Sequence, residues 1–534
     1  MPSVSTNTKT LVDSYLTWHQ SQEQKQAAGT IHVDEVALKV ASFYEKIRGV
    51  VDWKEEHLFR KGAIERILKR RLLFKKNGEK IATPLVYELI RGGHFPNDKI
   101  KETKIEEVQL ALSKYSYILE HAPIPQKKKL AEQFNDWMSG IAACEIEDIL
   151  SNPIRENALL DYMTKIMEER IRIREGILKV GGISEEEKNT QIYIASQRAL
   201  LNPDASLITY NLLKRKFPSW KNISKEEVDD VAKNIYSIRE EIENNLNHRL
   251  ADKFYRVCEK YDTPFLIIGD ILAGDSKRSR EIVSNPEELE IKTKQTYEKR
   301  AKTLKSRLGR AAFYATLSIF LTNILSLYAI EFPLAKFVLG NFTPLAIAID
   351  VFVPTLLMFF LIVSIPPPPK ENSDITIMEV MKIVYEEKSS DIYEVKSNPK
   401  RNLITRILIS IFYIFGFSIV AGLIVWGLEI IHLPITSHVI FIIFISLITF
   451  AGTKIRRRAK ELEIVETKEN FLFFFVDLFA IPMAQLGKWL SSKWKRYNAI
   501  AKFFSYLIDM PFQLLVEFLE HWRYFLKEKR EELH

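Results

Sequence analysis

The chain has 534 residues, of which 76 are lysine or arginine and 68 are aspartate or glutamate, giving a formal net charge of +8. That length suits two or three structural units, and two cysteines without CxxC spacing exclude a disulfide framework and a cysteine metal site. The ten histidines lack ligand spacing, and phosphate-loop, zinc-protease and serine-hydrolase motifs are missing from the sequence. The sequence therefore predicts no cofactor and no metal, and it does not indicate an enzyme.

Residues 1–300 are rich in charge and contain apolar residues at helical spacing, as in Ile64, Ile67 and Leu68. This pattern predicts a large α-helical region. The polar N-terminus has no signal-peptide core, which assigns the region to the cytoplasm. Two adjacent glycines suggest a subdomain boundary near 181–183. Long helices are predicted near 98–121, 126–150, 154–178 and 225–260.

Two helix starts in this region are marked by capping boxes, in which a serine and a glutamate three residues later each satisfy a free backbone N–H. The pairs are Ser184 with Glu187 and Ser224 with Glu227. Pro286 suits a first helical turn, where the missing N–H is not needed. The helix that begins there is expected to continue into the first apolar stretch.

One predicted helix carries a dense basic run that contains Arg66, Lys69, Arg70 and Arg71. The run either contacts anionic lipid head groups or RNA, or it is a solvated face whose long side chains cover apolar neighbours. In a membrane protein, topogenic charge and attraction to anionic lipid explain a positive balance. Membrane lipids are therefore expected partners, and the sequence argues against nucleic acid.

The C-terminal half contains four apolar stretches, at 311–330, 344–365, 407–428 and 435–452. A helix needs about 20 apolar residues to cross the hydrocarbon core of a bilayer. The stretches therefore predict a four-helix transmembrane bundle within 301–453, with a cytoplasmic loop at 366–406.

Basic residues flank these stretches on one side only. They cluster before the first stretch, between the second and third, and after the fourth, whereas the opposite connections contain only Lys336. By the positive-inside rule, this pattern predicts an inner-membrane protein that crosses the bilayer four times, with both termini in the cytoplasm.

Asp350 is an ionisable residue inside the second apolar stretch, where a carboxylate is costly unless it is paired or hydrated. Pro354 leaves the carbonyl of Asp350 without its helical donor, and Asn323 in the first stretch is a candidate partner. The group is either an ion or proton site or a structural hydrogen bond within the bundle. Further polar candidates near the outer ends of the stretches are Glu331, Glu429, His432 and His438.

The C-terminal region, 454–534, is predicted to form amphipathic helices at the membrane interface. Its stretch 471–486 contains Asp477 and Pro482. A crossing there would carry the following basic cluster outside, so the stretch is expected to be interfacial or re-entrant. The cluster, which is expected to face lipid head groups, consists of Lys488, Lys493, Lys495 and Arg496.

Two local patterns concern packing. Asp374, in the predicted cytoplasmic loop, is expected to cap a short amphipathic helix. The apolar face of this helix would contain Ile377, Met378, Met381 and Val384. In the third apolar stretch, Ser418 and Gly422 have the small-xxx-small spacing that lets another helix approach closely, either inside the bundle or in a homo-oligomer.

The predicted fold is all-α, with a large helical cytoplasmic N-terminal region, a four-helix transmembrane bundle and C-terminal amphipathic interfacial helices. We consider three functions. The first is a scaffold, adaptor or assembly factor that anchors a helical domain for a protein partner on the cytoplasmic side. The second is an oligomeric channel or transporter subunit that uses Asp350. The third is a membrane enzyme acting on lipid or envelope precursors through the outer polar residues.

Overall fold

The fold is nearly all-α in the computed structural model. The model describes residues 3–23, 29–33, 56–72, 81–123, 127–173, 183–326, 344–363, 371–387, 391–395, 403–433, 435–459, 462, 464 and 471–496. Two short strands and two 3₁₀ turns, Trp220–Asn222 and Ser276–Arg278, accompany the helices in these ranges. The all-α prediction is confirmed at this level.

Contacts between Cα atoms divide the described residues into two compact units. The front unit contains the residues up to Pro286 together with 382–395, and the apolar unit contains 287–381 and the described residues from 403 to 496. The proposed boundary near 181–183 falls largely on residues outside the described ranges, as does the tail beyond 496.

The helices that begin in the front unit are α1 (Thr6–Glu23), α2 (Glu56–Leu72), α3 (Ala82–Arg91), α4 (Thr103–His121), α5 (Lys128–Ser151), α6 (Ile154–Arg170), α7 (Glu185–Leu201), α8 (Ala205–Lys216), α9 (Lys225–Leu246), α10 (Ala251–Lys260), α11 (Thr263–Gly274) and α12 (Ser279–Ser284). The strands are β1 (Ile171–Ile173) and β2 (Tyr393–Val395).

The core of the front unit is built around α5. Every residue from Met138 to Leu150 is buried, so this part of the helix is enclosed on all sides. Its neighbours contribute Leu85 from α3, Val108 from α4 and Val231 from α9 to the same apolar cluster. A fully enclosed helix must find a partner for each polar side chain that it carries, because burial without a hydrogen bond is costly.

Helix starts follow the local signals in the sequence. Both capping boxes are confirmed, since Ser184 and Ser224 each accept a hydrogen bond from the backbone N–H of the glutamate three residues later. Asp204 caps α8 in a related way, accepting from the N–H of Leu207. The prediction that Asp374 caps a helix is wrong, because that helix begins at Glu371 and Asp374 lies within its first turn.

Two of the predicted long helices are shorter in the structure. The helix predicted at 154–178 ends at Arg170, because Ile171–Ile173 continues as β1 and pairs in parallel with β2. The helix predicted at 225–260 is two helices, since α9 ends at Leu246 and α10 begins at Ala251. The side-chain amide of Asn247 donates to the carbonyl of Glu243, 2.9 Å away, and so takes a carbonyl at the end of α9.

The segment 382–395 is an integral part of the front unit, although it lies about 100 residues further along the chain than Pro286. The backbone N–H of Ser5 donates to the carbonyl of Val384 at 2.9 Å, and the hydroxyl of Tyr385 donates to the carbonyl of Val283 at 2.8 Å. The carboxylate of Glu387 accepts from the N–H and the hydroxyl of Thr6, at the start of α1. These contacts complete the front unit with residues of the predicted cytoplasmic loop.

The remaining helices are α13 (Pro286–Ser326), α14 (Pro344–Val363), α15 (Glu371–Tyr385), α16 (Leu403–Ile430), α17 (Ile435–Ala459) and α18 (Phe471–Arg496). As predicted, α13 runs from Pro286 into the first apolar stretch without a break. The predicted apolar face of α15 is wrong in part. Met378 is 51% exposed, whereas Val380 and Ile383 are buried with Val384.

The apolar unit is held together by contacts among its helices. Met358 of α14 and Ile448 of α17 form one buried pair, against which Ile319 of α13 packs. Leu428 of α16 and Phe441 of α17 belong to a second cluster. Within the described residues, two helices, Leu403–Ile430 and Ser437–Arg457, are long and apolar enough to cross a membrane. The four-span bundle is therefore not confirmed.

The helix α18 extends ten residues beyond the predicted stretch 471–486. A Cβ on its Gly487 would overlap the carbonyl of Ser446 in α17, so this position needs a glycine. Its Pro482 lies against α16, where a Cβ on Gly416 would be 3.4 Å from the Cγ of the proline. The helix thus packs closely on two apolar helices, and its location at a membrane interface stays a prediction.

We expect Tyr393 to be important for the stability of the front unit. Its hydroxyl accepts a hydrogen bond from Nη1 of Arg170 at 2.9 Å, and its ring stacks on Tyr261 with centroids 3.9 Å apart. Tyr393→Phe should cost about 1.5–3 kcal/mol, since Arg170 is almost fully buried, and Tyr393→Ala should cost more. Thermal unfolding of the full-length protein in detergent measures both. Equal melting temperatures for the native protein and Tyr393→Ala would contradict this role.

Candidate functional site

A dense group of charged side chains lies on the buried part of α5. Glu145, Glu147 and Asp148 are all buried there, within four consecutive residues. Each of the three is paired with a cation from a different helix or turn. The sequence interpretation did not select these acids, although three carboxylates within the apolar run from Ile141 to Leu150 were a signal that could have been used.

Glu145 is the most completely bonded member of this group. Its Oε1 accepts from Nζ of Lys114 at 2.7 Å. Its Oε2 accepts from the same Nζ at 2.9 Å, from the hydroxyl of Tyr115 at 2.7 Å and from Nε1 of Trp220 at 2.8 Å. The third donor of Lys114 reaches the carbonyl of Trp220 at 2.7 Å, and the ammonium lies 4.6 Å from the Trp220 ring centroid.

Burial shifts the pKa of several groups in this network. The pKa of Lys114 is lowered, because burial disfavours the ammonium more than Glu145 favours it. The pKa of Tyr115 is raised well above its usual range by burial and by the adjacent Glu145. Every donor and acceptor of the pair is matched, so neither side chain has a polar atom left for a ligand. We therefore assign the pair a structural role.

Asp148 is bonded differently, because its cations reach towards solvent. Its Oδ2 accepts from the hydroxyl of Tyr210 at 2.7 Å and lies 3.3 Å from Nζ of Lys214 and 3.0 Å from Nζ of Lys221. Burial alone would raise the pKa of this carboxyl, but Lys214 and Lys221 more than compensate and hold the pKa below its usual range.

A second cluster joins α2 to α5 and α8. Nζ of Lys61 lies 2.7 Å from Oδ2 of Asp204 and 2.9 Å from Oε2 of Glu65. Burial lowers the pKa of this lysine, but its neighbours, among them the carboxylates of Asp204 and Glu65, raise it overall. The Cys144 thiol has its pKa raised well above the usual range by burial, so it stays protonated at neutral pH.

Two cations of the predicted basic run on α2 form ion pairs with acidic side chains of the protein. Lys69 lies 2.9 Å from Glu65 and 2.8 Å from Asp136, and Arg70 pairs with Glu88. Arg66 is exposed, and the side chain of Arg71 lies outside the described residues. Because two of the four cations are neutralised by the protein itself, the arrangement favours a solvated structural face over a lipid-binding face.

In the apolar unit, the structure brings Asn323 and Pro354 to neighbouring positions of α13 and α14. Asn323 is 3% exposed, and its Nδ2 donates to the carbonyl of Val351 at 3.3 Å. Thr355 donates its hydroxyl to the same carbonyl at 2.7 Å. Asp350 precedes Val351 in α14, and its side chain lies outside the described residues. Asn323 was predicted as a partner of Asp350, but the hydrogen bond observed is to Val351, one residue further along α14.

The outer polar candidates do not form a site in the described residues. Glu429 and His432 are exposed at the end of α16, and His432 adopts a left-handed conformation with φ of 57°. The N–H groups of His432 and Leu433 donate to the carbonyls of Glu429 and Leu428, which is the hydrogen-bond pattern of a Schellman motif. The end of α16 therefore explains the backbone conformation of this histidine.

Of the other predicted polar and basic residues, the structure describes the side chains of two. His438 is buried at the start of α17, and Glu331 lies outside the described residues. Lys488 is exposed on α18, whereas the side chains of Lys493, Lys495 and Arg496 lie outside the described residues. Within the described ranges, no group of three or more His, Cys, Asp and Glu residues could hold a metal ion.

The small-xxx-small pair on α16 does not face a neighbouring helix within the described residues. Ser418 and Gly422 are exposed, and a Cβ on Gly422 would meet nothing within 4 Å. Packing among the described residues therefore does not account for this pair.

Comparison of the chain with protein-family models, curated proteins and solved structures found no match.

We expect Glu145→Gln to destabilise the protein by about 3–5 kcal/mol, because it leaves the buried Lys114 without its counter-charge. Asp148→Asn should cost less, about 1–3 kcal/mol, since Lys214 and Lys221 are partly exposed and can turn to water. Thermal unfolding of the full-length protein in detergent compares the two.

Lys114→Met in the Glu145→Gln background provides the control, because it removes the uncompensated charge. The double variant should be more stable than Glu145→Gln alone. A Glu145→Gln variant as stable as Asp148→Asn would show that the pair has no special role.

Proposed function

We propose that the chain is a multi-pass membrane protein that anchors its front unit at the cytoplasmic face as a scaffold, adaptor or assembly factor. The observation that carries this proposal is the inclusion of residues 382–395, which lie between apolar helices, in the front unit. The proposal combines a membrane topology with a partner-binding role, and different observations support the two parts.

The apolar surface of α16 supports a lipid environment. Only 6% of its 18-residue apolar window is buried, and large side chains such as Leu408, Phe412 and Phe415 are more than half exposed. A soluble protein rarely exposes a contiguous apolar surface of this kind, and a helix that is apolar on all sides needs a core or a membrane around it. Lipid is the natural environment for this surface.

The chain order supports an even number of crossings before α16. Residues up to Pro286 and residues 382–395 belong to one compact unit, so they lie on the same side of any membrane. The chain between them contains the apolar parts of α13 and α14, which would therefore cross twice or not at all. Two crossings agree with the one-sided distribution of basic residues, and α16 with α17 would form a second pair.

The adaptor role is favoured by the charge chemistry of the front unit. The buried acids described on α5 are paired, and the described cysteines are buried with raised pKa values, that of Cys258 to about 12. These groups stabilise a rigid helical body, which can present a surface to a protein partner. Leu110 on α4, 69% exposed, and Leu130 on α5, 49% exposed, are apolar residues available at that surface.

A cysteine-labelling experiment tests the topology. Cys144 and Cys258 are buried, so the labelling of an introduced cysteine can be measured with little labelling of the native ones. Ile431→Cys, in the turn after α16, should react with a membrane-impermeant maleimide in intact cells, because this turn would lie outside. Ile392→Cys, in the segment before β2, should react only after permeabilisation. The side chains of both isoleucines are exposed. Labelling of both cysteines from the same side would contradict the topology.

Site-specific photocrosslinking in living cells tests the adaptor role. A crosslinking residue at position 110 or 130 should give discrete protein adducts, since apolar anchors are favoured in the core of an interface. The same residue at Glu240, an exposed polar position on α9, is the matched control. If positions 110 and 130 gave no more adduct than position 240, the described surface would not be the binding surface.

A further inference from the structure

The contact between α13 and α14 contains two oxygen atoms that need a donor. The first is Oδ1 of Asn323, which is buried and has no hydrogen-bond partner among the described residues. The orientation of the amide is determined by its surroundings. Its Nδ2 faces the carbonyl of Val351, and a flipped amide would bring two acceptors together. The oxygen therefore points away from Val351 with its lone pairs unused.

The second oxygen is the main-chain carbonyl of Asp350. In a regular helix this carbonyl accepts from the N–H of the residue four positions later, but that residue is Pro354, which has no N–H. The carbonyls of Asp350 and Val351 are consecutive along α14, about 1.5 Å apart in rise. Asn323, which bonds to Val351, therefore lies within one residue's rise of the carbonyl that Pro354 leaves without its regular helical donor.

The surroundings of these oxygens are apolar. Val351 and Met358 are buried, and the rings of Phe320 and Phe352 lie 6.2 Å apart where the two helices meet. An unpaired acceptor in such surroundings is unfavourable, so two such oxygens would make the site favourable for a donor or a cation.

We propose that this contact is a binding site for a monovalent metal cation, with Oδ1 of Asn323 and the carbonyl of Asp350 among its ligands. Neutral amide and main-chain oxygens are the ligands that hard cations prefer. Main-chain carbonyls released from helical bonding hold sodium in the broken helices of membrane transporters in the same way. The proposal does not depend on the adaptor role, since it concerns the apolar unit alone.

Thermal unfolding of the full-length protein in detergent tests the site. Melting temperatures are measured in sodium, potassium and N-methylglucamine chloride at equal ionic strength and constant pH. Sodium or potassium should raise the melting temperature by about 3 °C or more over N-methylglucamine, with a saturable dependence on concentration. Asn323→Leu should abolish this difference, since it removes one ligand while keeping the volume of the side chain.

Pro354→Ala is the second variant, because it gives the Asp350 carbonyl its own N–H donor and should not impair folding. It should raise the cation concentration needed for half of the effect by about tenfold or more. Ser418→Ala is the matched control, since this serine is exposed on α16 and bonds only to the carbonyl of Ile414 in its own helix. It should respond to the cation as the native protein does.

Three results would overturn the proposal. One is a native protein that melts at the same temperature in all three salts. Another is a cation effect that both Asn323→Leu and Pro354→Ala retain unchanged, which would locate the ion elsewhere. The third is a melting temperature that depends on pH and not on the cation, with the pH dependence removed by Asp350→Asn. In that case the protonated carboxyl of Asp350 would be the missing donor.

Discussion

The ion pair between Glu145 and Lys114 is the interaction on which the front unit depends. Helix α5 is buried along thirteen consecutive residues, from Met138 to Leu150, and it carries its acids into the centre of the unit. A buried pair of charges adds little stability by itself, but either charge left alone is strongly unfavourable. The pair therefore fixes which helices can surround α5, because α4 must supply Lys114 and the turn after α8 must supply Trp220.

A different constraint acts on the apolar unit, where large side chains of α16 are exposed. The buried apolar clusters of this unit are small, and Gly487 and Gly416 allow α18 to approach its neighbours closely. In the lipid environment that we propose, helices associate mainly through such close packing and through polar contacts, because burial of apolar surface brings little gain. The hydrogen bond from Asn323 to Val351 is a contact of this second kind, so the residue that holds α13 to α14 also creates the unpaired oxygen.

Local signals in the sequence were sufficient for the helix starts at Ser184, Ser224 and Pro286, because each depends on chemistry within one turn. The end of α6 at Arg170 could not be predicted in this way, since it is determined by pairing with a strand more than 200 residues away in the chain. The same limit applies to the basic run on α2. From the sequence alone, Lys69 and Arg70 could form a free cationic face, whereas in the structure Asp136 and Glu88 lie beside them.

The segment 382–395 means that residues 1–286 are not a complete folding unit. Without it, β1 would lose its only partner strand among the described residues, and the buried Arg170 would lose the hydroxyl of Tyr393. The start of α1 would also lose its cap from Glu387, a carboxylate whose pKa is lowered by the hydrogen bonds from Thr6. In the sequence, the apolar helices α13 and α14 therefore lie between two segments of the same folded unit. The front unit can be completed only after α13 and α14 have been synthesised, because the segment 382–395 follows them in the chain.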